Sequence, residues 1–286
     1  MQYVINRSPY ASEHRVLTVN ALKIIAAIAM TLDHVAVYLL PDRMVLLQFI
    51  LRVVGRLAFP LFAYCVAEGC RYSKHKLRRF FLILGAGLVF EMVYVAYGII
   101  NSGGMEFIEI FSGNVAGLLK VVRMTFFEGN IFLTLACSIL LIHIMQDCKK
   151  KLAEQKWGHA ALMALVFVAA AVLVYGFNRL MYGLNYGMAG IILPLTVAFT
   201  DYEADKAPEL FRKLDHPLVR LAFFALGLVV MTMRSSMKVV QSFGLLSLIP
   251  LALYNGKPGK AKLKWWFYAY YPAHLVILWI IGMLIK

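Results

Sequence analysis

Residues 21–40 read A-L-K-I-I-A-A-I-A-M-T-L-D-H-V-A-V-Y-L-L. At about 1.5 Å of rise per residue, a helix of this length covers about 30 Å, the hydrocarbon thickness of a bilayer. The stretch is almost wholly apolar, yet Asp33 and His34 stand side by side in its second half. Placing an aspartate near the centre of a membrane helix costs roughly 2.5–3.5 kcal/mol. Two ionisable residues in one span therefore call for partners, a wet cavity or a function.

The rest of the composition agrees with a membrane setting. Of 286 residues, 62% are hydrophobic and only 15% charged, and the mean hydropathy is +0.74. These values exclude an ordinary soluble domain. Residues 1–20 are polar, with Arg7, Glu13 and Arg15, and do not have the pattern of a cleavable signal, so the first helix is expected to stay as an anchor. The net charge of +14 does not point to nucleic acid, because the basic residues gather in short loops between apolar runs. The expected surroundings are a lipid bilayer. Cys65, Cys70, Cys137 and Cys148 match neither metal-binding nor disulfide spacing and are expected to pack between helices.

The expected fold is all-α: a polytopic transmembrane helical bundle forming one domain over residues 1–286. Nine spans are expected, with eight to ten allowed, at about 21–40, 46–69, 79–100, 129–146, 158–176, 187–200, 217–233, 239–254 and 266–285. Basic residues cluster around 71–79, 149–156, 206–213 and 257–264, all on the side of the N-terminal segment 1–20. That asymmetry predicts a cytoplasmic N-terminus and a C-terminus on the outside. Residues 101–128 are partly apolar but hold glycines at 103, 104, 113 and 117. They predict an interfacial or re-entrant segment on the outer side rather than a continuous helix.

Side chains three and four apart share a helix face, so Lys23, Ala27, Thr31, His34 and Tyr38 form one stripe. Asp33 lies about 100° round the helix from His34, so the two face different neighbours. In the second span Gln48, Arg52 and Arg56 share a face, and Asp33 is the nearest counter-ion in sequence. Pro60 has no N–H for the Arg56 carbonyl, which predicts a kink there. Glu68, Glu91, Asn130, His143, Tyr186, Tyr271 and His274 are further polar residues within or beside apolar runs.

This set suits several chemistries. In an acyltransferase, His34 would be a general base and the arginines would hold a phosphate, a carboxylate or a developing oxyanion. In a proton-coupled transporter or lipid flippase, Asp33, His34, Arg52, Arg56 and Glu91 would serve a proton pathway. A non-enzymatic assembly factor is a third reading. No metal is expected, because no other histidine or carboxylate stands three or four residues from His34.

The blocks L-K-I-I-A-A-I-A-M-T-L-D-H, L-R-V-V-G-R-L-A-F-P-L-F-A, N-I-F-L-T-L, Y-G-M-A-G and F-Y-A-Y-Y-P-A-H-L run in order from residue 22 to 275. Together they resemble the TraX family, named for a conjugation protein that N-acetylates pilin, and more distantly the multi-span transmembrane acyltransferases. The resemblance implies an acetyl-CoA-dependent N-acetyltransferase in the bacterial inner membrane, acting on a pilin or other peptide N-terminus. His34, Asp33, Arg52 and Arg56 would form its reactive centre. Arg71, Lys74, Arg78 and Arg79, with Tyr271 and His274, would hold acetyl-CoA. Glu91, Tyr38, Asn130 and Tyr186 would meet the acceptor. An acidic residue is expected before the tyrosine of Y-G-M-A-G, where this chain carries Asn185.

Overall fold

The computed structural model describes residues 15–73, 75–101, 130–180, 184–201, 214–259 and 263–285. The N-terminal segment up to residue 14, Lys74 and nearly all of the expected interfacial segment 101–128 lie outside them. Regular structure among the described residues is helical throughout: α1 (Val19–Tyr38), α2 (Val45–Gly55), α3 (Ala58–Arg71), α4 (Lys76–Asn101), α5 (Ile131–Ala153), α6 (Trp157–Leu180), α7 (Gly187–Phe199), α8 (Pro217–Arg234), α9 (Lys238–Ser242), α10 (Leu248–Ala252) and α11 (Lys264–Ile285). A 3₁₀ turn over Phe243–Ser247 joins α9 to α10. Among the described residues six helices are long and apolar enough to cross a membrane, with α2 and α3 counted as one. The chain is a multi-pass helical membrane protein.

Two of the nine expected spans, 187–200 and 239–254, are short helical runs close to the expected bounds. α7 has 13 residues with Pro194 inside it, which at about 1.5 Å each rise only about 20 Å. The stretch expected at 239–254 is one helical run, Lys238–Ala252, whose middle part Phe243–Ser247 tightens to 3₁₀. Apolar length alone does not reveal that 3₁₀ stretch. The expected third span is covered by α4, which has 26 residues.

The chain forms two compact units, residues 1–69 with 196–286, and residues 70–195. In the first, α1 packs on α2 and on α11. The Thr18 hydroxyl caps α1 by accepting from the Ala21 amide. The residues just before α1 pair with those leading towards α11: Leu17 N donates to Leu253 O, Asn255 N to Leu17 O, and Val19 N to Lys257 O. Contacts then climb both helices together, from Lys23 over the Phe267 ring to Thr31 with Tyr270, His34 with His274 and Tyr38 against Trp279. Thus α1 and α11 run parallel. The stripe predicted along α1 is the face it turns to α11.

The first unit also contains a buried charged centre around Arg220, which is 1% exposed. This arginine sits in the first turn of α8, where aligned peptide dipoles disfavour a cation. Three carboxylates answer it. Nη1 pairs with Glu68 Oε1, Nε donates to Asp215 Oδ1 at 3.0 Å, and Nη2 lies 3.4 Å from Asp201 Oδ1. The Tyr254 hydroxyl donates to Glu68 Oε2 at 3.2 Å, and Tyr64 packs edge-on against both Tyr254 and Phe224.

In the second unit α4 and α5 run antiparallel. Asn130 caps α5 through the amides of Phe132 and Leu133, and its Nδ2 donates to Gly87 O at 2.8 Å. At the other end Lys76 pairs with Asp147. α6 packs on α5 around a core of Leu133, Leu141, Val174, Leu184 and Ile191. In the basic turn after α5, a hydrogen bond from Lys156 to Glu154 holds that carboxyl below its ordinary range, and Lys151 adds to the effect.

Removing one member of a buried ion pair leaves an uncompensated charge, at a cost of about 3–5 kcal/mol. Arg220→Met is therefore expected to lower the melting temperature in detergent sharply. Arg78→Met, at an exposed position of α4, should leave it nearly unchanged. Equal melting temperatures for the two variants would show that the Arg220 centre does not stabilise the fold.

Candidate functional site

The site grows from the break between α2 and α3. Pro60 cannot supply the amide that the Arg56 carbonyl needs, and α2 ends at Gly55 before α3 resumes at Ala58. Arg56 therefore stands at an interruption, with its Nε donating to Arg52 O at 3.3 Å. Its Nη2 reaches both oxygens of Asp33, at 2.9 and 2.7 Å. Arg52 Nε lies 3.8 Å from Asp33 Oδ1. That nitrogen is buried and makes no hydrogen bond.

The approach of α1 to α2 depends on Gly55. A Cβ built there would overlap Asp33 Cβ and would stand 2.7 Å from Asp33 Cγ. No neighbouring side-chain end can swing away to relieve this, because the obstacle is the root of the Asp33 side chain.

His34 faces the other way, towards α11. Its Nδ1 lies 2.8 Å from His274 Nε2, and His274 Nδ1 lies 2.9 Å from the backbone carbonyl of Tyr270. A carbonyl only accepts, so His274 Nδ1 carries a hydrogen. In the neutral pair His274 Nε2 is then the acceptor, and His34 Nδ1 must donate to it. The hydrogen is thereby fixed on His34 Nδ1, and His34 Nε2 keeps a free lone pair. Tyr270 steadies this line. Its ring stacks on His274 with centroids 5.3 Å apart and on Trp266 at 4.6 Å. Thr31 Oγ1 donates to Ala27 O at 2.9 Å, so the Tyr270 hydroxyl donates to Thr31 Oγ1, 2.6 Å away.

Around this pair, Tyr38 stands 5.9 Å from the His34 ring, and Tyr271 is edge-on to His274 at 5.6 Å. The structure thus brings together Asp33, His34, Arg52, Arg56, Tyr38, Tyr271 and His274 in the first unit. Arg71, Arg78, Arg79, Glu91, Asn130 and Tyr186 belong to the second. Arg71 lies over the Tyr72 ring, Arg78 is exposed and Arg79 half-buried. Glu91 is 1% exposed, with the Asn130 side chain beside it. Tyr186 takes a positive φ of 61° in the turn that starts α7. The Asn185 backbone carbonyl accepts from Thr134 Oγ1 at 3.0 Å. Among the described residues no group of three metal-ligating side chains occurs.

The sequence reading passed over Tyr270 and Arg220. Tyr270 stands four residues before His274, one helical turn away, and that spacing was available as a signal. Arg220 sits four residues into the apolar run after His216, and its lone charge was the clue there.

Residues 18–282 match the family model described as TraX protein. The chain belongs to the TraX family. A curated relative, "Probable fimbrial assembly protein FimC, serogroup H1" of Dichelobacter nodosus, is 25% identical over 267 residues, covering 90% of this chain and 92% of that one. No solved structure matches this TraX-family chain.

Overpacking at a close helix approach costs about 1–3 kcal/mol. Gly55→Ala is expected to lower the melting temperature and to weaken the Asp33–Arg56 pairing. Gly85→Ala, where an added Cβ meets nothing within 4 Å, serves as the control. A Gly55→Ala protein as stable as the Gly85→Ala protein would contradict the packing described here.

Proposed function

We propose that this TraX-family protein is an integral membrane acetyltransferase that transfers an acetyl group from acetyl-CoA to an amine, a pilin or another peptide N-terminus. The observation that carries the reading is the histidine pair. His274 and the Tyr270 carbonyl turn a basic His34 Nε2 outward from the pair, the requirement for a general base. The ion pair with Arg56 keeps the Asp33 carboxylate away from that nitrogen.

The residues present fit such a donor. Acetyl-CoA would supply the acetyl group as an activated thioester. His34 Nε2 would take the proton the acceptor nitrogen gives up as its bond to the acetyl carbon forms. The resulting imidazolium would be stabilised by sharing its Nδ1 hydrogen with His274 and would return a proton to the departing sulfur. Arg52, whose buried Nε lies 3.8 Å from Asp33 Oδ1 and makes no hydrogen bond, would donate to an oxygen gaining negative charge. Arg71, Arg78 and Arg79 remain the candidates for the phosphates of the donor. The pilin acceptor draws support from the fimbrial name of the relative.

The same reading takes the protein to lie in the bacterial inner membrane with its N-terminus cytoplasmic and its C-terminus outside. The basic loops support that orientation, and so does the parallel course of α1 and α11, whose ends then face opposite sides.

General-base contributions amount to roughly 10²–10⁴-fold in rate. His34→Gln is expected to lose acetyl transfer by that factor while still binding acetyl-CoA, with transfer read by mass spectrometry of the acceptor peptide. His274→Asn should lose part of the rate and shift the pH profile. Full activity in His34→Gln would overturn the assignment. For topology, an alkaline phosphatase fused after residue 286 should be active outside the membrane. An inactive fusion would mean an even number of crossings.

A further inference from the structure

A second polar site lies between α4 and α5, one turn inside the Lys76–Asp147 pair. His143 is 7% exposed. Its Nδ1 is 3.5 Å from Gln146 Oε1, and its Nε2 is buried without a hydrogen-bond partner. The charged groups that act on it are Lys76, Arg79 and Asp147. Asp147 is already engaged by Lys76. Arg79 has no carboxylate partner among the described residues, and its Nε is buried without an acceptor. The cluster therefore has one cation in excess and two buried nitrogens with nothing to bond.

Leaving such groups unsatisfied is costly, more so when they are charged. One anion bearing several acceptor oxygens would satisfy them together. A guanidinium fork matches the oxygens of a phosphate, and His143 donates from Nε2 either as the cation or in the tautomer whose Nδ1 accepts from a turned Gln146 amide. Arg78 and the run Lys149–Lys151 sit at the same ends of these helices and add to the positive field. We propose that Arg79 and His143, with Lys76 beside them, form a binding site for a phosphate group. The phosphate belongs either to a soluble nucleotide of the CoA type or to an anionic phospholipid headgroup. In its nucleotide form the proposal rests on the acetyl-CoA reading. In its lipid form it stands apart from that reading.

The test uses purified full-length protein. One arm measures CoA binding by calorimetry in detergent. The other measures phosphatidylglycerol retained from mixed phosphatidylglycerol–phosphatidylcholine nanodiscs by native mass spectrometry. Arg79→Gln and His143→Asn are each expected to weaken one of these roughly tenfold to a hundredfold. Loss of CoA binding identifies a nucleotide phosphate, and loss of phosphatidylglycerol identifies a headgroup. Arg79→Lys keeps the charge but not the fork. It should recover only part of the affinity, and it decides the matter if Arg79→Gln does not fold. Unchanged binding of both probes in these variants would overturn the proposal. His34→Gln separates this site from the acetyl-transfer reading, because it should stop transfer and leave both bindings intact. A wild-type protein that binds either phosphate yet transfers no acetyl group would sink the transferase reading alone.

Discussion

The ion pair between Asp33 and Arg56 is the constraint on which the first unit depends. Either charge alone at membrane depth would be costly, so each helix carries its residue at a lower cost with the other close by. The pair sits at the break that Pro60 imposes at Gly55–Ala58. There Arg56 Nη2 reaches both carboxylate oxygens of Asp33. Gly55 completes the arrangement by letting the α2 backbone come up against Asp33. A helix interruption, a missing side chain and a buried charge pair are thus one feature.

Fixing Asp33 against α2 also fixes where His34 points. Consecutive residues diverge by about 100° on a helix, so once one face of α1 is held to α2, the next residue is delivered to α11. Its partner there, His274, is itself held by the Tyr270 carbonyl and stacked on the Tyr270 ring. An acid and a base that are neighbours in sequence are separated in role by helix geometry. The acid neutralises an arginine, and the base joins a line of hydrogen bonds that sets its tautomer. The same logic recurs around Arg220, whose cost at the start of α8 is offset by three carboxylates and the Tyr254 hydroxyl behind Glu68.

Much of this was legible in the chain. Hydropathy marked the helices, because burying backbone polar groups in lipid forces helical structure on long apolar runs. Periodicity marked the stripe from Lys23 to Tyr38, and Pro60 marked the interruption. Hydropathy also marked the short runs at 187–200 and 239–254, but not the 3₁₀ stretch inside the second. Mean hydropathy weighs composition and takes no account of the backbone hydrogen-bonding pattern.

The sequence by itself determined the helical membrane class, the separation of Asp33 from His34 on α1 and the interruption before Pro60, since each follows from periodicity or from the covalent structure of proline. The tertiary structure alone decided the partners. Asp33 had two arginines within reach, and only the approach of α2 over Gly55 gives the short contacts to Arg56. His34 had no partner within its own helix, and only the parallel packing of α11 brings His274 to it from 240 residues away. Local rules say which face a side chain occupies. What meets that face depends on which helices pack together, and that is set by the summed burial and charge pairing of the whole unit.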